Sequence, residues 1–426
     1  MGAVGEIAGS GIVKLKQSIR SILPDDIVMW MKAGFDYGNN RKMLRKKERI
    51  RPYQAGRYPM GINLIGDVRA ETGLGQSMRL LAEILEESNV PFIIKQVDSP
   101  GGLRRNENQW ESRISDELKY AVNLIHINPG IWAESYNRFP AEVLDYRYHI
   151  AYWLWELETF PERWRPCIET VDEIWAPSEF ISQSIRKITS KNVETVPYCI
   201  HLKKKEPYGR AYFGLPENKF LFLTMYVFKR VSERKNPKAA IAAYMKAFRK
   251  EETGVGLVVK IGHLQRQQEL EQLRRQLTGY PNIYFITENL SRQEVESLIL
   301  GADALISLHR SEGFGLPIAE AMCLGRPVVA TAWSANMEFM DEICSCPVDY
   351  KLVEIRKTVG PYPKGSRWAE PDIEHAAEYL RKLYEEQEYC RTISKNAKVK
   401  IGKVLNGGRA AKMIRERFSA YGEIEK

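Results

Sequence analysis

From residue 60 onward the chain alternates short apolar runs with stretches whose apolar residues recur every three or four positions, the pattern of parallel strands covered by helices. The first set of predicted strands is 60–66, 91–97, 121–127, 149–153, 173–176 and 193–197. A polar, Lys-rich stretch at 201–212 has no apolar run and reads as a linker. The alternation then restarts, with strands predicted at 220–227, 255–261, 282–286, 304–308 and 328–331. The expected architecture is α/β, with two doubly wound parallel-sheet units. Ligands of such sheets lie beyond the carboxyl ends of the strands, so two units joined by a hinge enclose a cleft. No repeat of about 20 to 50 residues is present, which excludes solenoids and propellers.

Both flanks are helical in pattern. Before residue 60, Ile12, Leu15, Ile19 and Ile22 fall on one helical face and Pro24 ends it. An apolar patch at 27–31 that includes Trp30 comes next, then the basic run Arg41, Lys42, Arg45, Lys46, Lys47, Arg49 and Arg51. Two readings stand side by side: an interfacial element on an anionic membrane, or a helix docked on the body followed by a solvated linker. After residue 372 the chain is helical and charged. Ala376, Leu380 and Leu383 can pack on the second unit, and 410–421 is able to cross back to the first.

Composition narrows the classes. With 426 residues, 44% hydrophobic and 27% charged, the chain holds two or three ordinary globular domains. Six cysteines are too sparse to staple a fold of this size, so a reducing compartment is expected, with Cys344 and Cys346 as packing residues. No apolar run reaches the ~18 residues of a membrane span and no signal-peptide pattern opens the chain, so a cytoplasmic protein is expected. Residues 1–57 carry 12 Lys/Arg against five Asp/Glu, most of the net charge of +9. The body is nearly neutral, which argues against nucleic acid as a partner.

The most informative stretch is 307–331, SLHRSEGFGLPIAEAMCLGRPVVAT. A strand ending near Leu308, a loop with Gly313 and Gly315, a helix from Leu316 with Pro317 in its first turn, and a stop at Gly325 make a seat for phosphate on exposed amides. Glu320 lies about one turn inside that helix, suited to accepting hydrogen bonds from ribose hydroxyls. Glu312 stands at the loop mouth, where a carboxylate can face sugar hydroxyls or developing positive charge.

This segment resembles the retaining glycosyltransferases of family 4, which have the two-Rossmann GT-B fold and an E-x7-E pattern matched here by Glu312 and Glu320. The resemblance runs from about residue 60 to the C-terminal region. Thr72-Gly-Leu-Gly-Gln-Ser77 is similar to the glycine loop of the N-terminal half, and His149 to Pro161, Trp175 to Phe180 and Trp368 to Asp372 are similar to segments of bacterial members. Glu233-Arg-Lys-Asn-Pro237 resembles the basic donor-phosphate segment. The division implied is a basic extension at 1–57, an acceptor domain at 58–205, a nucleotide-sugar domain at 206–390 and C-terminal helices at 391–426.

By this resemblance, Arg234 and Lys235 neutralise a departing diphosphate. Glu320 holds the ribose and Glu312 the donor sugar. The amides around Gly313, namely those of Phe314, Gly315 and Leu316, meet sugar and phosphate. His126 hydrogen-bonds the donor sugar, and Gly73 and Gly75 face phosphate and acceptor. Relatives carry Gly-Arg after the first strand of the C-terminal half, where this chain reads Val227-Phe-Lys-Arg-Val231, leaving Lys229 and Arg230 as candidates for the arginine. Relatives also place glycine where this chain has Asn236.

The residues also admit plainer roles. His126 reads equally as a satisfied strand-end histidine, and Arg234 with Lys235 as a solvated helix start. Trp153, Trp155, Phe160 and Trp164 read as packing. Glu156 and Glu158 make only a weak glycosidase pair. No Asp-x-Asp occurs, so transfer without a metal or other cofactor is expected, from a GDP- or UDP-linked sugar to a glycan or lipid-linked acceptor. A sugar-nucleotide epimerase and an inactive partner subunit are the alternatives.

Overall fold

The computed structural model describes residues 25–100, 103–201, 206–227, 232–262 and 267–423. The helix expected at 12–22 lies outside the described residues. The first sheet is parallel throughout and orders its strands β2-β1-β3-β4-β5-β6, with β1 Ile62–Gly66, β2 Phe92–Gln96, β3 Val122–Ile125, β4 Tyr148–Tyr152, β5 Glu173–Ala176 and β6 Val193–Thr195. The second orders β12-β11-β10-β7-β8-β9, also parallel, with β7 Phe220–Val227, β8 Val255–Gly262, β9 Ile283–Ile286, β10 Ala304–Ser307, β11 Val328–Thr331 and β12 Cys346–Val348. β7 and β10 are adjacent while their successors run outward in opposite directions, which opens a crevice at the carboxyl ends of that pair. The central strands are buried along their length, as expected where helices cover both faces of a parallel sheet. These are the two parallel α/β units expected from the alternation, arranged as the resemblance to the GT-B fold implies.

Three strands lacked a sequence signal. β12 is three residues long, and β13 Tyr350–Glu354, which has no buried residue, pairs antiparallel with β14 Arg367–Pro371, where Trp368 and Ala369 are buried. The loop of this hairpin carries Ile355, Val359 and Tyr362 into the aromatic core of the first unit, where Tyr362 lies 5.4 Å from Trp155 between ring centres. Trp153, Trp155, Phe160 and Trp164 are buried in the same cluster, as packing residues. Cys344 and Cys346 are buried free thiols.

The basic run is not a solvated linker. Residues 41–47 complete a helix, Asp25–Lys47, that packs on the helix Pro129–Arg138. Met43 is fully buried there. Lys46 Nζ donates to the carbonyls of Tyr136 (2.8 Å) and Asn137 (3.4 Å), orphan acceptors at a helix end, and burial lowers its pKa. The following residues stay on the body, with the Arg51 N–H donating to Asp145 and the Tyr146 N–H donating to the Arg51 carbonyl.

At the other end, helix Ile373–Glu385 packs on helix Pro237–Ala247 of the second unit. Helix Gly407–Glu423 packs on helix Gly73–Ser88 of the first. Ala410, Ala411 and Ile414 are buried in that contact, and Arg417 reaches the buried Glu173 at 2.9 Å.

Candidate active site

The crevice between β7 and β10 is lined by Met225, Lys235, Ser307, Glu312, Gly315 and Pro317. Each wall has a local cause. β10 ends at Ser307, and the loop that follows needs glycine twice. A Cβ on Gly313 would come within 2.6 Å of the Trp155 carbonyl, and Gly315 has φ of 95°, a left-handed conformation that starts helix Leu316–Cys323. Pro317 suits the first turn, where no intrahelical bond is lost. Asn236, where relatives carry glycine, has φ of 48°. Asparagine tolerates that region, so the departure keeps the backbone shape that starts the helix behind Lys235.

Glu312 is held from both sides of its backbone. Its N–H donates to Ser334 Oγ (2.8 Å), and its carbonyl accepts from the Ala335 N–H (3.3 Å). Ser334 adopts φ of 77°, rare for serine and maintained by this clamp. Its carboxylate accepts from Lys235 Nζ on one oxygen and pairs with Arg234 Nη1 at 3.2 Å on the other. Burial disfavours the charge, but Lys235 and then Arg234 outweigh it, and the carboxyl is held down at about 2.

Arg234 does not stand free beside Lys235. It is buried, donates to the Ser311 carbonyl (2.6 Å), and faces Glu156 of the first unit at 3.6 Å. Tyr362 donates to the other oxygen of Glu156 (3.0 Å). Arg234 therefore ties Glu312 to the seam between the units, while Lys235 faces the crevice. Other bonds close the same seam. Ser178 Oγ donates to the Gly313 carbonyl (2.7 Å), and Glu338 accepts from the N–H groups of Glu179 (3.0 Å) and Phe180 (2.9 Å), capping a helix of the opposite unit.

Glu320 is as buried as Glu312, yet here burial prevails and raises its pKa; the opposing cation is Arg292, whose Nη1 lies 2.8 Å away. His126 is placed in its own half. Its Nε2 meets Ser77 Oγ at 2.6 Å, its ring stacks on Tyr152 with centres 5.5 Å apart, and burial lowers its pKa to about 4, so it is neutral at physiological pH. The link from His126 to the glycine loop is indirect: Ser77 bonds Tyr198, whose ring meets Phe314 at 4.7 Å. Gly73 and Gly75 open helix Gly73–Ser88, capped by Thr72, and a Cβ on Gly75 would collide with the Ala70 carbonyl. Leu316 is the first residue of its helix. Arg230 and Lys229 lie outside the described residues. Among the described residues, no group of three or more His, Cys, Asp or Glu is placed to hold a metal ion, and no helix is long and apolar enough to cross a membrane.

The residues missed by sequence reasoning are Arg292, Tyr362 and the clamp of Ser334 on Glu312. Glu156 was visible in a distinctive segment, but its partner, Arg234, lies 78 residues away in another unit.

Comparison with known proteins agrees with this geometry. Residues 210–342, which contain the whole crevice, match the family described as Glycosyl transferases group 1. No curated protein matches the chain significantly. Among solved structures, HepE from Anabaena in complex with UDP and glucose is similar at 14% identity and a TM-score of 0.63, over 85% of this chain and 100% of that one. Sucrose-phosphate synthase from Thermosynechococcus elongatus is similar at 15% identity and 0.61, over 86% and 100%. A glycosyltransferase from Rickettsia africae is similar at 12% identity and 0.61, over 85% and 99%.

Proposed function

We propose that this chain, whose fold is GT-B, is a retaining glycosyltransferase that moves a sugar from a nucleoside-diphosphate donor to a glycan or lipid-linked hydroxyl, without a metal ion. The observation that carries the reading is the placement of Lys235, an ionised Glu312 and the amide end of helix Leu316–Cys323 around one crevice at the β7/β10 switch point. Lys235 and the helix start face the diphosphate, Glu320 the ribose and Glu312 the donor sugar. The bond from the anomeric carbon to the phosphate oxygen breaks, and a bond to the acceptor oxygen forms on the same face. The acceptor proton passes to the departing phosphate, so no enzyme base is required. His126, neutral and held by Ser77, shapes the wall of the first unit through Tyr198 and Phe314. The HepE complex with UDP-glucose makes UDP-glucose the first donor to try, with GDP-mannose beside it.

The acceptor side is served by a groove in the first unit, lined by Val97, Asp98, Ile131, Ser135, Phe139 and Glu142. The helix Asp25–Lys47 leaves Phe35, Tyr37, Arg41, Lys42 and Arg45 exposed, a face suited to anionic lipid at the inner side of the cell membrane. Deleting residues 1–57 would remove Met43 from the core, so charge reversal at Lys42 and Arg45 is the cleaner test: vesicle co-sedimentation drops, and unchanged binding discards the membrane contact.

The decisive experiment is a panel of nucleotide-sugars read by thermal shift and by release of nucleoside diphosphate. Stabilisation and turnover that fall at least about tenfold in Lys235→Ala support the reading. A panel in which no nucleotide stabilises the protein overturns it.

A further inference from the structure

Glu320 sits in a site that by itself would neutralise it. It is 5% exposed, on a helix packed against the sheet, and burial pushes its pKa up. A protonated carboxyl would be a poor acceptor for two ribose hydroxyls. One cation opposes this. Arg292 is the first residue of helix Arg292–Gly301, whose start is fixed by a capping box between Ser291 and Glu294. Its guanidinium forks, with Nε donating to Glu296 at 2.8 Å, one turn along the same helix, and Nη1 reaching Glu320 Oε1 at 2.8 Å. Glu296 thereby fixes the plane of the fork, with Arg292 Nη1 set against Oε1 of Glu320. Glu296 is also a like charge that raises Glu320 further. Cys323 lies on Glu320's own helix and feels both Glu320 and Glu296. Arg79 of the first unit lies close enough to feel the charge of Arg292, with its own guanidinium donating to the carbonyls of Val68 and Ala70.

We propose that Arg292 is a positioning residue for the donor: it keeps Glu320 ionised and turned so that its second oxygen can accept from the ribose. This rests on the glycosyltransferase reading above. Lysine would supply the charge but not the fork, so Arg292→Lys retains part of the effect and Arg292→Gln little of it.

The test uses the full chain and two ligands, UDP and 2′,3′-dideoxy-UDP, or the guanosine pair if GDP is the nucleotide that binds. In the wild type, removal of the ribose hydroxyls weakens binding by about tenfold or more, as expected for bonds to a charged acceptor. In Arg292→Gln, UDP binding falls by a similar factor while dideoxy-UDP binding stays near the wild-type value. The UDP loss is larger at acid than at alkaline pH, because Glu320 without its cation holds its proton to higher pH. KM for the donor rises more than kcat falls, and Arg292→Lys recovers part of the UDP affinity. Equal losses for both ligands, or no loss for either, overturn the assignment while leaving the enzyme reading intact. Absence of nucleotide binding by the wild type removes both. Should Arg292→Gln fail to fold, Arg292→Lys is read by the same pair of ligands: a loss for UDP that exceeds the loss for dideoxy-UDP supports the assignment, and equal losses overturn it.

Discussion

Glu312 and Glu320 are buried to almost the same degree, at 6% and 5% exposure, and belong to one loop-and-helix unit, yet the protein drives their carboxyls in opposite directions. Glu312 is held at about 2 and Glu320 is raised. Burial penalises both. The difference is the count of cations: Lys235 and Arg234 both reach Glu312, whereas Arg292 is shared between Glu320 and Glu296. One carboxylate is a fixed charge that the seam is built around, and the other is a tunable acceptor. Degree of burial alone would have made them equivalent.

The largest break in this comparison comes from Glu312→Gln. The substitution leaves Arg234 buried with only the more distant Glu156, so unfolding free energy falls by about 3 kcal/mol, as for a buried pair that loses one partner. On the proposed reading, in which Glu312 faces the donor sugar, transfer slows by about 10² to 10³-fold. Denaturant melts together with turnover check both. An unchanged melt would mean that the seam is held by the hairpin at Tyr362 and the Glu338 cap alone.

Next in size is the response to pH. Glu312 has a folded pKa below its unfolded value, so its contribution to stability is present above the unfolded carboxylate range and is lost as pH falls from there toward about 2. Glu320 has the opposite sign: its ionisation costs folded-state free energy that is relieved as pH falls. Nucleotide affinity therefore drops in mild acid while the melting temperature holds, and stability is lost only at lower pH. Parallel loss of affinity and melting temperature would erase the distinction between the two carboxylates.

The fold was legible because most of the parallel strands are short, largely apolar runs, as in 304–308 and 328–331, and eleven of the twelve described strands of the two sheets lie at the predicted places. β12 and the β13–β14 hairpin were silent, since three residues and a partly exposed ladder make no period. The crevice beside β10 was legible because strand, glycine loop and helix are contiguous between Ser307 and Cys323. Its electrostatics were not. Arg292, Glu156 and Tyr362 reach Glu320 and Arg234 from other elements, and local sequence carries no sign of such pairings. The basic run misled for a related reason: Lys46 looks like its neighbours in sequence, but only it caps the end of a helix about 90 residues away.

Glu320→Gln has the smallest expected effect on stability and sharpens the comparison most. Glutamine keeps the size of the side chain and removes a charge that burial already disfavours. Arg292 retains Glu296, so no cation is stranded, and the melt shifts by no more than about 1 kcal/mol, against about 3 for Glu312→Gln. Nucleotide affinity falls nonetheless, by about tenfold, because a neutral amide accepts from ribose hydroxyls less strongly than a carboxylate. Calorimetric titration with UDP beside a denaturant melt separates the two quantities. A melt that falls as far as that of Glu312→Gln would show that Glu320 is also a structural charge, and the contrast between the two glutamates would then reduce to the number of cations each one meets.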